Sequence, residues 1–215
     1  ATDRQWYDLK EEYGSTEFLG YTTEEAQAVI LAILVSGEQV DEVNAGQSAQ
    51  ILCNQTPFYG ESGGQAGDQG QMLVADGKAH VNDTQKPLGL HVHLVDVAEG
   101  CLRKGDSITL HVDHERRKKL RANHSATHLL HEALRRVLGE HVAQKGSYVS
   151  HERLRFDFAH TKAVSGDELV AVEDIVNAII QQNSKVTTRV MTPDEAVDAG
   201  AIAVFGEKYG DEVRV

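Results

Sequence analysis

The stretch RANHSATHLLHEALRRVLG (residues 121–139) carries three histidines, His124, His128 and His131, inside a pattern of helical period. Ala126, Leu130, Ala133, Leu134 and Val137 recur at the spacing that lines one face of a helix. At ~100° per residue the three imidazoles fall within about 60° of one another along one border of that apolar arc. Upstream, Asp113 has the residue type of an N-cap, and Gly139 that of a C′ stop. A helix is therefore expected from about 113 to 139, with a break allowed near Asn123.

This helix separates two kinds of text. From about residue 18 to 112, short β-branched runs such as ILAILV, AQILCN, QMLVADGKAHVND, HVHLVDVA and SITLHVD alternate with turns rich in Gly, Asp and Asn. Strands of that length and spacing predict a small barrel. After the helix, QKGSYV and RLRFDF read as strands. Ser165 and Glu168 form a capping box ahead of DELVAVEDIVNAIIQQN, and Thr192-Pro193-Asp194-Glu195 opens a second helix that Gly200 stops. KVTTRVM supplies a strand between these helices, and AIAVF with EVRV is expected to form a hairpin around GEKYGD. The predicted fold is α+β: a β-barrel domain over 1–112 and, over 113–215, a mixed α/β core with helices packed on an antiparallel-rich sheet.

The 215 residues carry a formal charge of -12, unevenly spread. Residues 1–113 hold 6 Lys+Arg against 18 Asp+Glu, whereas residues 114–215 hold 15 of each. Five basic residues crowd HERRKKLRANH: Arg116, Arg117, Lys118, Lys119 and Arg121. They make either a local phosphate-binding face or a solvated helix face. The two cysteines, Cys53 and Cys101, stand apart from any C-x-x-C spacing, so neither a disulfide framework nor a cysteine-rich zinc module is suggested. The longest apolar run, AVILAILV at 28–35, is too short to cross a bilayer, and no signal-peptide pattern opens the chain, so a cytosolic protein without membrane contact is expected. A start at Ala1 without methionine and an end inside the strand-like EVRV are what a segment of a longer polypeptide would show.

Two motifs hold candidate chemistry. In FYGESGGQAGDQG (58–70), Gly63, Gly64, Gly67 and Gly70 permit positive φ and close backbone approach, either for tight turns between strands or for a ligand. The motif lacks the G-K-[ST] ending of a phosphate loop, and no helix pattern follows it. In the histidine stretch, His124 and His131 are roughly 10 Å apart along the axis at 1.5 Å rise per residue, so a straight helix cannot bring all three to one ion. His124 and His128, spaced i,i+4, can meet on successive turns; the alternative is a pair of capped or solvated side chains. Ser125 stands where a metalloprotease helix carries its glutamate, which argues against peptide hydrolysis of that kind. Zinc takes three or four protein ligands, and the second half of the sequence offers no cysteine and no second paired histidine motif.

RANHSATHLLHEALRRVLG, followed by QKGSYV and LRFDFAH, closely resembles the editing domain of alanyl-tRNA synthetases, and AIAVFGEKYGDEVRV resembles its later hairpin. FYGESGGQAGDQG is similar to the glycine-rich motif of the barrel that precedes that domain. The resemblance covers roughly residues 18–215 and extends to free-standing trans-editing proteins and, more distantly, to the editing domain of threonyl-tRNA synthetases. It implies hydrolysis of Ser-tRNA(Ala) and Gly-tRNA(Ala) within a larger cytoplasmic, ATP-dependent synthetase. It also implies a Zn2+ site with His124 and His128 as metal ligands, completed by a C-x-x-x-H motif that is absent from this sequence and expected beyond Val215. Thr127 and Gln144 would be the catalytic-site residues. Arg116, Arg117, Arg121, Lys145, Gly63 and Gly64 would contact the acceptor end of tRNA(Ala), and the remainder of the synthetase would be the other partner. The competing readings are a tRNA-docking or interdomain module without catalysis, and a threonyl-type editing domain.

Overall fold

The computed structural model describes residues 2–201 and 210–215. In chain order, α1 (Thr2–Tyr13) leads to β1 (Glu17–Phe18), β2 (Glu25–Val35), β3 (Glu38–Val40), β4 (Glu42–Asn44), β5 (Ser48–Cys53), β6 (Gln55–Thr56), β7 (Gly70–Val74), β8 (Gly77–Gln85), β9 (Val92–Arg103) and β10 (Ser107–Val112). Then come α2 (His114–Leu138), β11 (Gln144–Val149), β12 (Leu154–Phe158), α3 (Gly166–Gln182), β13 (Val190–Met191), α4 (Pro193–Asp198) and β14 (Val213–Arg214). The chain divides into two compact units, one of Ala1–His124 with Tyr148–Leu154, the other of Ser125–Ser147 with Arg155–Val215. The division falls within α2, twelve residues past the expected boundary at 112/113.

The first unit is an antiparallel barrel. Its strands run β10-β7-β8-β9-β5-β2, and pairing of β10 with β2, Ser107 opposite Val29 through His111 opposite Glu25, closes the ring. Closure leaves no long edge exposed. Ala28, Ile30, Ile33, Ile51, Met72, Val81, Val95, Ile108 and Leu110 fill the interior. The apolar run of β2 looks too continuous for a strand with one wet face, and two features account for it. A bulge between Ile30 and Ala32 rephases the alternation, so that Ile30 and Ile33 both point inward. The outward Ala32 and Leu34 are then covered by Trp6 and Leu9 of α1, which with Leu52, Leu90 and Val92 form a second core. Sequence patterning predicts no helix before residue 18. Trp6 and Leu9, three residues apart, are the only signal of α1, and burial against the barrel wall is what stabilises a helix of this length.

In the second unit, Ala133, Leu134, Val142 and Val172 make the core, with Leu130, Val137, Phe156, Phe158, Ile175 and Val176 packed around it. The predicted capping box of Ser165 with Glu168 starts α3, and the helix expected from Thr192 begins as α4 with a capping box of its own, Thr192 with Glu195. Helix α2 is continuous through Asn123, whose side chain is drawn away to donate to the Ser150 carbonyl at 2.8 Å. KVTTRVM contributes only the two residues of β13, paired with β14. The expected hairpin around GEKYGD lies largely outside the described residues.

One buried network makes the barrel sensitive to acid. The His93 ring, fully buried, is bonded to Thr56 Oγ1 at 2.8 Å and to the Ile51 carbonyl at 3.0 Å, and burial lowers its pKa from 6.5 to about 4. The carbonyl accepts only, so Nδ1 carries the proton and Nε2 receives the Thr56 hydroxyl. Because the folded pKa lies below the unfolded value, the neutral ring contributes its full stability above pH 6.5 and loses it as pH falls toward 4. The loss over that window is expected to be about 3 kcal/mol, since each tenfold difference in proton affinity between the unfolded and folded ring is worth ~1.4 kcal/mol. Urea titrations between pH 7 and pH 4 should show this decline, and His93→Asn, although less stable throughout, should show a shallower one.

Candidate functional site

The glycine-rich segment folds back along the first half of α2 and is bonded to it at four points, all within the first unit. Asp113 donates its backbone N–H to the Gln69 carbonyl at 2.8 Å. Arg116 donates to the Gly67 carbonyl at 2.8 Å. Arg117 pairs with Asp68. His124 Nδ1 donates to Gln65 Oε1 at 2.5 Å. On its other side the segment lies tight against β8, where Gly67 has no side chain to obstruct it: a Cβ there would stand 2.0 Å from the Thr84 carbonyl oxygen.

The Arg117–Asp68 pair is the centre of this seam. Both side chains are almost fully buried, at 7% and 1% exposure. The guanidinium also donates to the carbonyls of Gly20, at 3.1 Å, and Pro57, at 2.5 Å, while Asp68 accepts the Tyr59 N–H at 2.7 Å. A buried ion pair is tolerated only when its remaining donors and acceptors find partners, and Gly20, Pro57 and Tyr59 supply them here. This burial corrects the expectation that Arg117 faces tRNA: its guanidinium donates to Asp68, Gly20 and Pro57 inside the protein. Arg116 is half-buried against Gly67, whereas Lys118, Lys119 and Arg121 are exposed on α2.

Gly63 and Gly64 form the turn between the bridged residues Ser62 and Gln65, with φ of +57° and +79°. Two successive residues in the left-handed region are what a tight two-residue reversal needs, and glycine meets it without steric penalty. The turn is fastened on its outer side by Val149, whose N–H donates to the Gly64 carbonyl at 2.8 Å and whose carbonyl accepts from Ala66 at 2.9 Å. Gln65 is thereby set beside α2. Sequence patterning points to the glycines of this motif and passes over Gln65 and Asp68, whose polar side chains make the contacts that the glycines permit.

Further along α2, in the second unit, Thr127 is buried at 7% exposure and His128 reaches the surface. Partial burial of the His128 ring, followed by repulsion from His131, lowers its pKa and favours the neutral imidazole that a metal requires. His131 itself packs against Phe156 at 5.0 Å. Gln144 begins β11 half-buried, and the neighbouring Lys145 is exposed. Among the described residues no group of three or more His, Cys, Asp or Glu side chains could hold a metal ion, and no helix is long and apolar enough to cross a membrane.

Residues 1–116, just over half of the chain, match the family of class II (A) tRNA synthetases. The chain belongs to that family. Similarity to synthetases extends over its whole length. It is 58% identical over 217 aligned positions to the alanine–tRNA ligase of Nitrobacter winogradskyi, 58% over 216 to that of Rhizobium johnstonii and 57% over 217 to that of Parvibaculum lavamentivorans. Each alignment takes in all of this chain and 24% of the relative, so this class II synthetase chain spans about a quarter of the length of the ligases it matches.

Loss of the Arg117–Asp68 pair should be felt throughout the glycine-rich segment. Arg117→Ala leaves a buried carboxylate uncompensated and is expected to cost about 3–5 kcal/mol in equilibrium unfolding. Arg117→Lys should recover only part of this, because a single ammonium cannot match the planar fork that reaches Asp68 and two carbonyls.

Proposed function

We propose that this chain is the hydrolytic editing segment of an alanine–tRNA ligase, acting in the cytoplasm on Ser-tRNA(Ala) and Gly-tRNA(Ala). The observation that carries the proposal is the helix α2, where His124, Thr127 and His128 stand within two turns, in a chain alignable from end to end with alanine–tRNA ligases. His124 and His128, four residues apart, supply half of a zinc shell, and the remaining ligands come from outside the described residues. The donor set fits the ion. With the Nδ1–H of His124 given to Gln65, its Nε2 holds the lone pair, which is the arrangement of a metal-ligating histidine oriented by a polar neighbour. Zinc at such a site supplies a Lewis acid and a water of lowered pKa.

The residues of the chain itself account for selectivity. An apolar synthetic pocket discriminates weakly against a substrate that adds one hydroxyl, so serine needs a second site that recognises that hydroxyl. Thr127, buried beside His128, offers the partner for it, and the Gln144 amide is suited to hold the ester or the attacking water. Exposed Arg121 and Lys145 serve the phosphates of the tRNA acceptor end, and Arg116, Gly63 and Gly64 of the first unit are further candidates for that contact.

The test compares this chain with one extended past Val215, measuring zinc content and release of serine from Ser-tRNA(Ala). The extended chain is expected to bind zinc and hydrolyse the ester, the shorter one to do both poorly. His124→Ala or His128→Ala should return the extended chain to the uncatalysed rate. Tight tRNA binding with no hydrolysis in either chain would identify a docking module instead, and preference for Ser-tRNA(Thr) a threonyl-type editor.

A further inference from the structure

We infer that Gln65, in the glycine-rich segment of the barrel, is a positioning residue that selects the tautomer of His124. The inference rests on the reading of His124 as a metal ligand and adds to it the element that prepares the ligand for its role.

A neutral imidazole carries its proton on either nitrogen, and in solution the Nε2–H form is the commoner, which would turn a proton toward an incoming ion. Which nitrogen is protonated in a protein is decided by the hydrogen bond that a neighbouring group offers. Here Gln65 Oε1 lies 2.5 Å from His124 Nδ1. A carboxamide oxygen only accepts, so Nδ1 must donate, and Nε2 is left as the basic nitrogen.

The amide is held where it can do this by the bonds around its backbone. The Ser62–Gln65 bridge closes the Gly63-Gly64 turn, with Gln65 N–H donating to the Ser62 carbonyl at 3.0 Å. Ser62 Oγ in turn donates to Tyr59 Oη at 2.9 Å, and Tyr59 N–H is bound by Asp68, the partner of Arg117. The other side of Gln65 is bridged to Val149, and the next residue, Ser150, accepts from Asn123, the neighbour of His124 on α2. Helix, turn and strand end thus form one closed circuit of bonds around the Gln65–His124 contact, and a side chain carried on a backbone held on both sides loses less entropy on making it. The two glycines at 63 and 64 acquire a purpose in this circuit: they set the turn that points Gln65 at the helix.

The experiment uses 15N-histidine labelling of this chain without metal, together with cobalt titration of the chain extended past Val215. Long-range 15N–1H spectra should show His124 protonated at Nδ1. Gln65→Leu should move it to a mixture dominated by Nε2–H while leaving the unfolding midpoint close to that of the parent, and should weaken metal binding by ~10–100-fold, the usual consequence of removing a ligand's orienting partner. Gln65→Glu keeps an acceptor oxygen and should restore both the tautomer and the affinity. An Nε2–H tautomer in the parent, or a tautomer unmoved by Gln65→Leu, overturns the inference. Metal affinity that falls in His124→Ala but not in Gln65→Leu overturns it while sparing the metal site. Affinity unchanged in His124→Ala overturns the metal reading of His124, and with it this role for Gln65.

Discussion

A guanidinium can be placed in a protein interior only where its charge and its donors are answered, and Arg117 is answered by a carboxylate and two carbonyls drawn from separate loop positions of the barrel. Such a pair contributes little to stability when compared with a well-packed apolar substitute, since desolvation of the ions offsets most of their attraction. What it contributes is uniqueness. Only one register of α2 against the glycine-rich segment brings Arg117 to Asp68, and a slip of one residue would leave two charges buried without partners. The helix is thereby fixed in rotation as well as in position.

The consequence runs along α2 toward His124. With the register set at Asp113, Arg116 and Arg117, the same face of the helix turns His124 onto Gln65 two turns later. The glycine-rich segment is therefore an orienting strap for the helix. Its glycines allow the close path, at Gly67 against Thr84 and at the Gly63-Gly64 reversal, while its polar residues make the bonds. Conversely, the basic cluster of the sequence is split by this arrangement: Arg117 serves the interior, and Lys118, Lys119 and Arg121 remain exposed on the surface.

Much of this is legible in the amino-acid pattern. Period-2 patterning marks most of the barrel strands, because antiparallel strands with one wet face alternate, and helical spacing marks α2 and α3. The capping boxes at Ser165 and Thr192 are readable because a capping hydrogen bond is local, spanning three residues. Helix α1 is not: Trp6 and Leu9 are too few to signal a helix on their own, and its reason for existing is the outward face of β2, some twenty-five residues away. The break allowed at Asn123 does not occur, since the asparagine finds its acceptor on Ser150. The candidate histidines are visible by spacing, while Gln65 is not, because nothing in a linear pattern says that residue 65 meets residue 124.

The sequence by itself determined the class of fold, the family resemblance and the pair of imidazoles on one helix, all of which rest on interactions between residues a few positions apart. Tertiary structure alone decided which arginine is buried and which polar side chain meets His124. Those outcomes depend on contacts between residues about fifty or sixty positions apart, and the free energy of a buried charge or a directed hydrogen bond is set by the surroundings that folding creates.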